Sequence, residues 1–221
     1  MPEKKRPRRT RERILETSLA LFNRAGAPNV TTADIADEMN ISPGNLYYHF
    51  RNKDEIVGEL FARYAAEVAP LLATPPRRAP DVEDLWLLLH LLFERMGAYR
   101  FLFRDLDELA SRNRTLALAH ADLLRRGQAT VVAICHGMVE ARTMQASERE
   151  IVALAANVAI ASTYWLSYQR LSRPGQVQDD EATDPARAAY QVLALIAPFT
   201  AGETRALIEK LGANYIAEER R

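Results

Sequence analysis

Apolar residues return every three or four positions along nearly the whole chain, and no segment alternates apolar and polar residues between turn signals. That period builds amphipathic helices and leaves a sheet no one-sided face, so the sequence predicts an all-α protein. From Thr10 to Ala25 the stripe is Ile14, Leu15, Ser18, Leu19, Leu21 and Phe22, with Gly26 as the stop. Thr31 and Asp34 have capping-box spacing for a second helix, Thr32 to Met39. Ser42 followed by Pro43 opens a third that ends near Phe50, and a fourth runs from Lys53 to about Leu72.

Prolines 70, 75, 76 and 80 then make a stiff joint that breaks the helical period. Beyond it the pattern predicts helices from Asp81 to about Tyr99, a shorter one in Phe101–Ala110, and a long one from Leu116 to Ala141. Ser147 with Glu150 opens another that reaches Leu171, Asp184-Pro185 starts one ending at Pro198, and Thr200 with Glu203 caps a last one toward Tyr215. Residues 172–183 read as a mobile loop. The expected organisation is a flexible basic arm at 1–9, a helix-turn-helix domain at 10–56, a connecting helix and joint at 57–80, and a larger helical domain at 81–221.

At 221 residues the chain can bury a core without covalent staples. Its one cysteine, Cys135, lies in an apolar run, which excludes an internal disulfide and a Cys-based zinc site and fits a reducing cytoplasm. The greasiest run, Leu85 to Phe93, falls well short of the about 20 residues that span a bilayer, so no membrane association is expected. His90, His120, Cys135 and His136 are too scattered for a metal motif. Asp105, Asp107 and Glu108 read as a solvated face beside Arg104 and Arg112. No phosphate loop, dinucleotide fingerprint or nucleophile elbow occurs, so neither a cofactor nor an enzyme activity is expected.

Lysines and arginines balance the acids at 29 each, but the first 13 residues hold seven Lys/Arg, Arg8 and Arg9 among them, against two Glu. A basic end on a neutral protein points to a polyanion or to a solvated tail. The third helix favours the polyanion. Each residue turns about 100°, which sends Leu46 and Phe50 together toward a core, Gly44, Asn45 and Tyr48 away from it, and Tyr47 and His49 to the flanks. Two short helices joined by a few residues form the unit whose second helix enters the DNA major groove. There Gly44 lets the backbone approach, Asn45 pairs with an adenine edge, the Tyr47, Tyr48 and His49 side chains donate to phosphates, and Lys53 adds a phosphate clamp. A helical module that binds a partner protein through these aromatics is the alternative.

The order helix, Gly26, "TTADIA", "SPGNLYYHF", "KDE" across Arg13 to Val57 resembles the tetracycline-repressor (TetR) family of bacterial regulators. The resemblance implies a homodimeric, ligand-responsive repressor of a palindromic DNA operator, with an N-terminal DNA-binding domain and a C-terminal domain for ligand binding and dimerisation. It adds Thr31 and Thr32 to the DNA contacts and assigns Ile35, Leu46 and Phe50 to the core. Pro43 and Asn45 stand where many relatives carry Lys, Arg or Thr, so this recognition helix is unusually uncharged. The aromatic run after residue 85 serves either as ordinary core or as the wall of a pocket. On the resemblance, Met96, Tyr99, Phe103 and His120 are the expected contacts to a small apolar effector. The nearly all-apolar helix 147–171, with helix 184–200, is either a buried monomer element or the two-fold interface, and the resemblance favours the interface.

Overall fold

The computed structural model describes residues 7–73, 81–172 and 185–218, with side chains described from residue 9 to residue 212. Eleven helices are present among these residues: α1 (Pro7–Ala25), α2 (Thr32–Glu38), α3 (Pro43–His49), α4 (Lys53–Val68), α5 (Val82–Ala98), α6 (Arg100–Arg104), α7 (Leu106–Arg112), α8 (Arg114–Glu140), α9 (Glu148–Ser172), α10 (Pro185–Ile196) and α11 (Gly202–Glu218). A 3-10 turn, Ala197–Phe199, links the last two, and the only extended pairing among the described residues is one antiparallel bridge, Met144 with Thr200.

Most expected boundaries hold, and the departures have local causes. Helix α1 opens at Pro7, three residues before the expected start, because proline suits the first helical turn; Arg8 and Arg9 therefore belong to a helix and not to an extended arm. The expected single helix after Phe101 is two, α6 and α7, parted at Asp105, whose N–H still bonds back to Phe101. The expected Thr200 cap is absent. The Thr200 hydroxyl donates backward to the Ala197 carbonyl at 2.8 Å, and α11 begins two residues later. The loop at 172–183, the joint at 74–80 and the arm up to residue 6 lie almost wholly outside the described residues.

By internal packing the chain forms two compact units. The first comprises the chain up to Ala66 with Tyr99–His120, and the second Glu67–Ala98 with the chain from Ala121 onward. The core of the first unit gathers Ile14, Leu15 and Phe22 of α1, Ile35 and Ala36 of α2, Leu46 of α3, and Ile56 and Leu60 of α4, all fully buried or nearly so. Completely burying a side chain of this size contributes about 1.5–3 kcal/mol, so this shared interior is what holds three helices of 19, 7 and 7 residues together. The two seven-residue helices are too short to persist alone.

In the second unit α10 is the centre. Its Ala188, Ala189, Val192, Leu193 and Ile196 are wholly buried, and it packs on α5, α9 and α11. Tyr190 lies so close to Gly212 of α11 that any side chain there would collide with the ring. Helix α9 buries Ile151, Leu154, Ala155 and Val158 but leaves Val152, Ile160, Tyr164, Tyr168 and Leu171 exposed. By length and composition alone α9 could cross a bilayer.

Candidate nucleic-acid interface and effector site

Local hydrogen bonds build the helix-turn-helix. The Thr31 hydroxyl accepts from the Asp34 N–H at 3.2 Å, while the Asp34 carboxylate accepts from the Thr31 N–H and hydroxyl at 2.7 Å each, which completes a capping box and lowers the Asp34 pKa. Helix α2 ends at Met39, and Asn40 turns the chain in the left-handed region (φ 53°), a conformation asparagine tolerates well. The Ser42 hydroxyl then caps α3 at the Asn45 N–H, with Pro43 in the first turn.

The two faces of α3 separate as its sequence requires. Leu46 is fully buried and Phe50 nearly so, whereas Pro43, Gly44, Asn45 and Tyr47 are exposed and Tyr48 is 79% exposed. An aromatic ring left that open forfeits its burial energy in the free protein, as expected of a group reserved for a partner. Two neighbours hold the aromatics in place: the Tyr47 hydroxyl lies 3.0 Å from the Thr32 hydroxyl, and Tyr48 meets the half-buried His49 edge-on at 5.1 Å. Thr31 and Arg9 are exposed and Thr32 half-buried; the side chain of Arg8 lies outside the described set.

Lys53 departs from the simple phosphate clamp. Its ammonium donates to the Ala27 carbonyl at 2.6 Å and the Val30 carbonyl at 3.0 Å, tying the loop before α2 to the start of α4. An ammonium has three protons, and two are committed here. Arg11 is likewise engaged, forming a two-point bond to Glu59 while lying 4.7 Å over the Phe50 ring; Arg63 makes the mirror bond to Glu12. These crossed pairs fasten α1 to α4, and each arginine holds its glutamate below the ordinary carboxylate range. Arg13 and Arg51, exposed in the same unit, are cations that the motif reading passed over.

Asp105 corrects the expectation of a solvated acidic face. It and Arg104 are each only 12% exposed and paired at 3.3 Å. The Arg104 guanidinium donates to the Phe22 carbonyl at 2.7 Å, the other Asp105 oxygen accepts from the Ala27 N–H at 2.9 Å, and Asn23 accepts from the Phe101 N–H at 3.1 Å. Together they cap the end of α1. Gly26, at φ +92°, is required there, since a Cβ would sit 2.8 Å from the guanidinium. The sequence carried one signal of this, two charges between the apolar triplet Phe101–Phe103 and Leu106.

Three of the four expected effector contacts gather in the first unit. Tyr64 meets Tyr99 at 5.7 Å and Phe103 at 5.4 Å, and the His120 imidazole lies 6.3 Å from Phe61 and 6.4 Å from Phe103. Phe61 and Tyr64 were not anticipated; both come from α4 and are buried. Desolvation lowers the His120 pKa, and its Nε2 is buried without a hydrogen-bond partner. Met96, also buried, belongs to the second unit. No group of three or more potential metal ligands occurs among the described residues.

Comparison with known proteins places these features in context. A family model for bacterial regulatory proteins of the tetR family matches residues 14–60, and one for a bacterial transcriptional repressor matches residues 63–208. A TetR-family transcriptional regulator from Marinobacter aquaeolei is 35% identical, covers 91% of this chain and 98% of its own, and superposes with a TM-score of 0.80. The probable acrEF/envCD operon repressor of Escherichia coli is 38% identical over 53 residues, 24% of each chain. The repressor KstR2 of Mycobacterium tuberculosis is 33% identical over 113 residues, 47% of this chain and 54% of its own. The chain thus spans about a quarter to a half of the length of these curated relatives.

Proposed function

The chain belongs to the tetracycline-repressor (TetR) family of bacterial regulatory proteins, and from that premise we propose that it is a cytoplasmic transcriptional repressor that binds a palindromic operator as a homodimer and responds to a small apolar effector. The observation that carries this reading is α3, pinned by buried Leu46 and Phe50 while Gly44, Asn45, Tyr47 and Tyr48 face solvent. In the groove Gly44 admits the backbone, Asn45 reads adenine, and Tyr48, His49 and the linked Thr32–Tyr47 hydroxyls meet phosphates, with Thr31 at the neighbouring helix start. Arg8 and Arg9 supply charge from α1, and Lys53 contributes the proton its two carbonyl bonds leave over.

The exposed stripe Ile160, Tyr164, Tyr168 and Leu171 of α9, with Leu195 of α10, supports a self-complementary dimer face. Asn157, Ser162, Thr163, Gln169 and Arg170 along the same helix favour a protein partner over a bilayer, where each would be costly. Tyr99, Phe103 and His120, with Phe61 and Tyr64 of α4, form the effector wall. A ligand that displaces Phe103 moves the adjacent Arg104 and with it the cap on α1, a differential contact of the kind coupling needs.

The test is a mobility-shift titration of the intergenic DNA upstream of its gene against a scrambled duplex, across salt concentrations. Preference for the upstream fragment with a steep fall of affinity in salt is expected. Equal, salt-insensitive binding would sink the repressor reading and favour a protein-interaction module.

A further inference from the structure

We propose that the effector is a neutral, hydroxyl-bearing aromatic or alicyclic molecule whose hydroxyl bonds the His120 Nε2 within the ring cluster of Phe61, Tyr64, Tyr99 and Phe103. The inference rests on the effector-site reading above and deepens it by naming a ligand class.

The wall supplies flat apolar contact from four buried rings, whose neighbours meet edge to face or tilted at 5.4–6.1 Å, the geometry in which aromatic neighbours attract. Within it the His120 Nε2 is fully enclosed and has no partner, an arrangement that costs free energy until a ligand supplies one.

Charge decides which class of group fits. Desolvation disfavours the imidazolium, so the site offers no fixed cation to an anionic ligand. Arg63, which acts electrostatically on Tyr99, is already bonded at two points to Glu12. A cation gains nothing from Nε2 when its nitrogen carries no proton, as in a quaternary ammonium. A neutral imidazole presents Nε2 either as donor or as acceptor, and a hydroxyl satisfies both tautomers. An ether oxygen satisfies only one.

The probes are 4-tert-butylphenol, its methyl ether, 4-tert-butylbenzoate and (4-tert-butylphenyl)trimethylammonium, titrated calorimetrically into the full-length protein and its His120→Phe and His120→Leu variants. Far-UV circular dichroism and melting confirm that the variants fold. The phenol is expected to bind wild type about tenfold or more tighter than each of the other three, and the preference over the ether should vanish in both variants. The His120 ring-proton NMR signals should shift with the phenol alone. Ether, benzoate or ammonium binding as tightly as the phenol, a preference that survives in His120→Phe, or no phenol binding up to its solubility limit overturns the assignment. Operator affinity measured on the same samples separates the two claims: absent operator binding sinks the repressor reading whatever the phenol does, and phenol binding that leaves operator affinity unchanged keeps the ligand class but removes its effector role.

Discussion

Replacing Arg104 by methionine tests the cap that joins α6 to the end of α1. Methionine keeps much of the apolar stem, so the change removes the charge and its bonds more than the packing. What remains is Asp105, 12% exposed and without the cation 3.3 Å away, and a Phe22 carbonyl that keeps only its bond from the Gly26 N–H at 2.8 Å. Stranding one partner of a buried pair costs about 3–5 kcal/mol, and because Asp105 retains the Ala27 N–H the lower end applies, about 3 kcal/mol. For a chain of 221 residues that corresponds to a melting temperature lower by roughly 6–12 °C. Urea unfolding followed by circular dichroism, at one fixed protomer concentration because dimerisation shifts apparent stability, gives the number. The Arg104→Met/Asp105→Leu double variant completes a cycle in which the two single losses should not add. A loss below about 1 kcal/mol, or strict additivity, would refute the view that this pair is a buried structural unit.

Three further outcomes follow from the same unit. Leu46→Ala should cost about 2–5 kcal/mol of stability, whereas Tyr48→Ala should leave melting nearly unchanged and weaken operator binding; equal melting losses would contradict the assignment of the two α3 faces. Glu12 and Glu59 have folded pKa values below the ordinary 4.5, so their contribution is complete above that pH and disappears as the pH falls through the lowered values. Glu59→Gln should therefore be less stable than wild type at pH 7, by within about 1 kcal/mol because the pair is one-third exposed or more, and the gap should close in acid unfolding titrations between the ordinary value and the lowered one.

The sequence disclosed what neighbouring residues decide among themselves. The Thr31–Asp34 box, the Ser42 cap and the Asp81 cap on α5 each join groups three residues apart and form, and of the Ser147–Glu150 box the half in which the Glu150 carboxylate accepts from the Ser147 N–H and hydroxyl is present. The burial of Leu46 beside the exposure of Tyr48 follows from the helical period alone. What stayed hidden depends on partners far along the chain. Asp105 looked like one acid among three until its N–H donor proved to be Ala27, 78 residues away, and Lys53 looked like a free phosphate ligand until its acceptors proved to be carbonyls 26 and 23 residues back. The apolar residues flanking Arg104 and Asp105 hinted at burial, but local composition could not name the distant donor that turns a polar residue at a helix end into a cap.

The charges of the first unit accordingly fall into two groups that sequence counting merges. Arg11, Lys53, Arg63 and Arg104 are committed to the protein itself, through Glu59, two carbonyls, Glu12 and the cap on α1. Arg9, Arg13 and Arg51 remain exposed, none of them on the reading face of α3. On the proposed operator-binding reading, a recognition helix that offers amide, hydroxyl and imidazole groups while positive charge stands outside it divides the work of binding. Affinity that any duplex can claim comes from the flanking arginines through released counterions, and discrimination between duplexes comes from an uncharged surface that gains little from a wrong sequence. Pairing Arg11 with Glu59 serves that division, because a cation neutralised by a carboxylate stabilises the helix-turn-helix without adding to nonspecific attraction. Lys53, by contrast, is held on neutral carbonyls and keeps its charge and one proton for a phosphate.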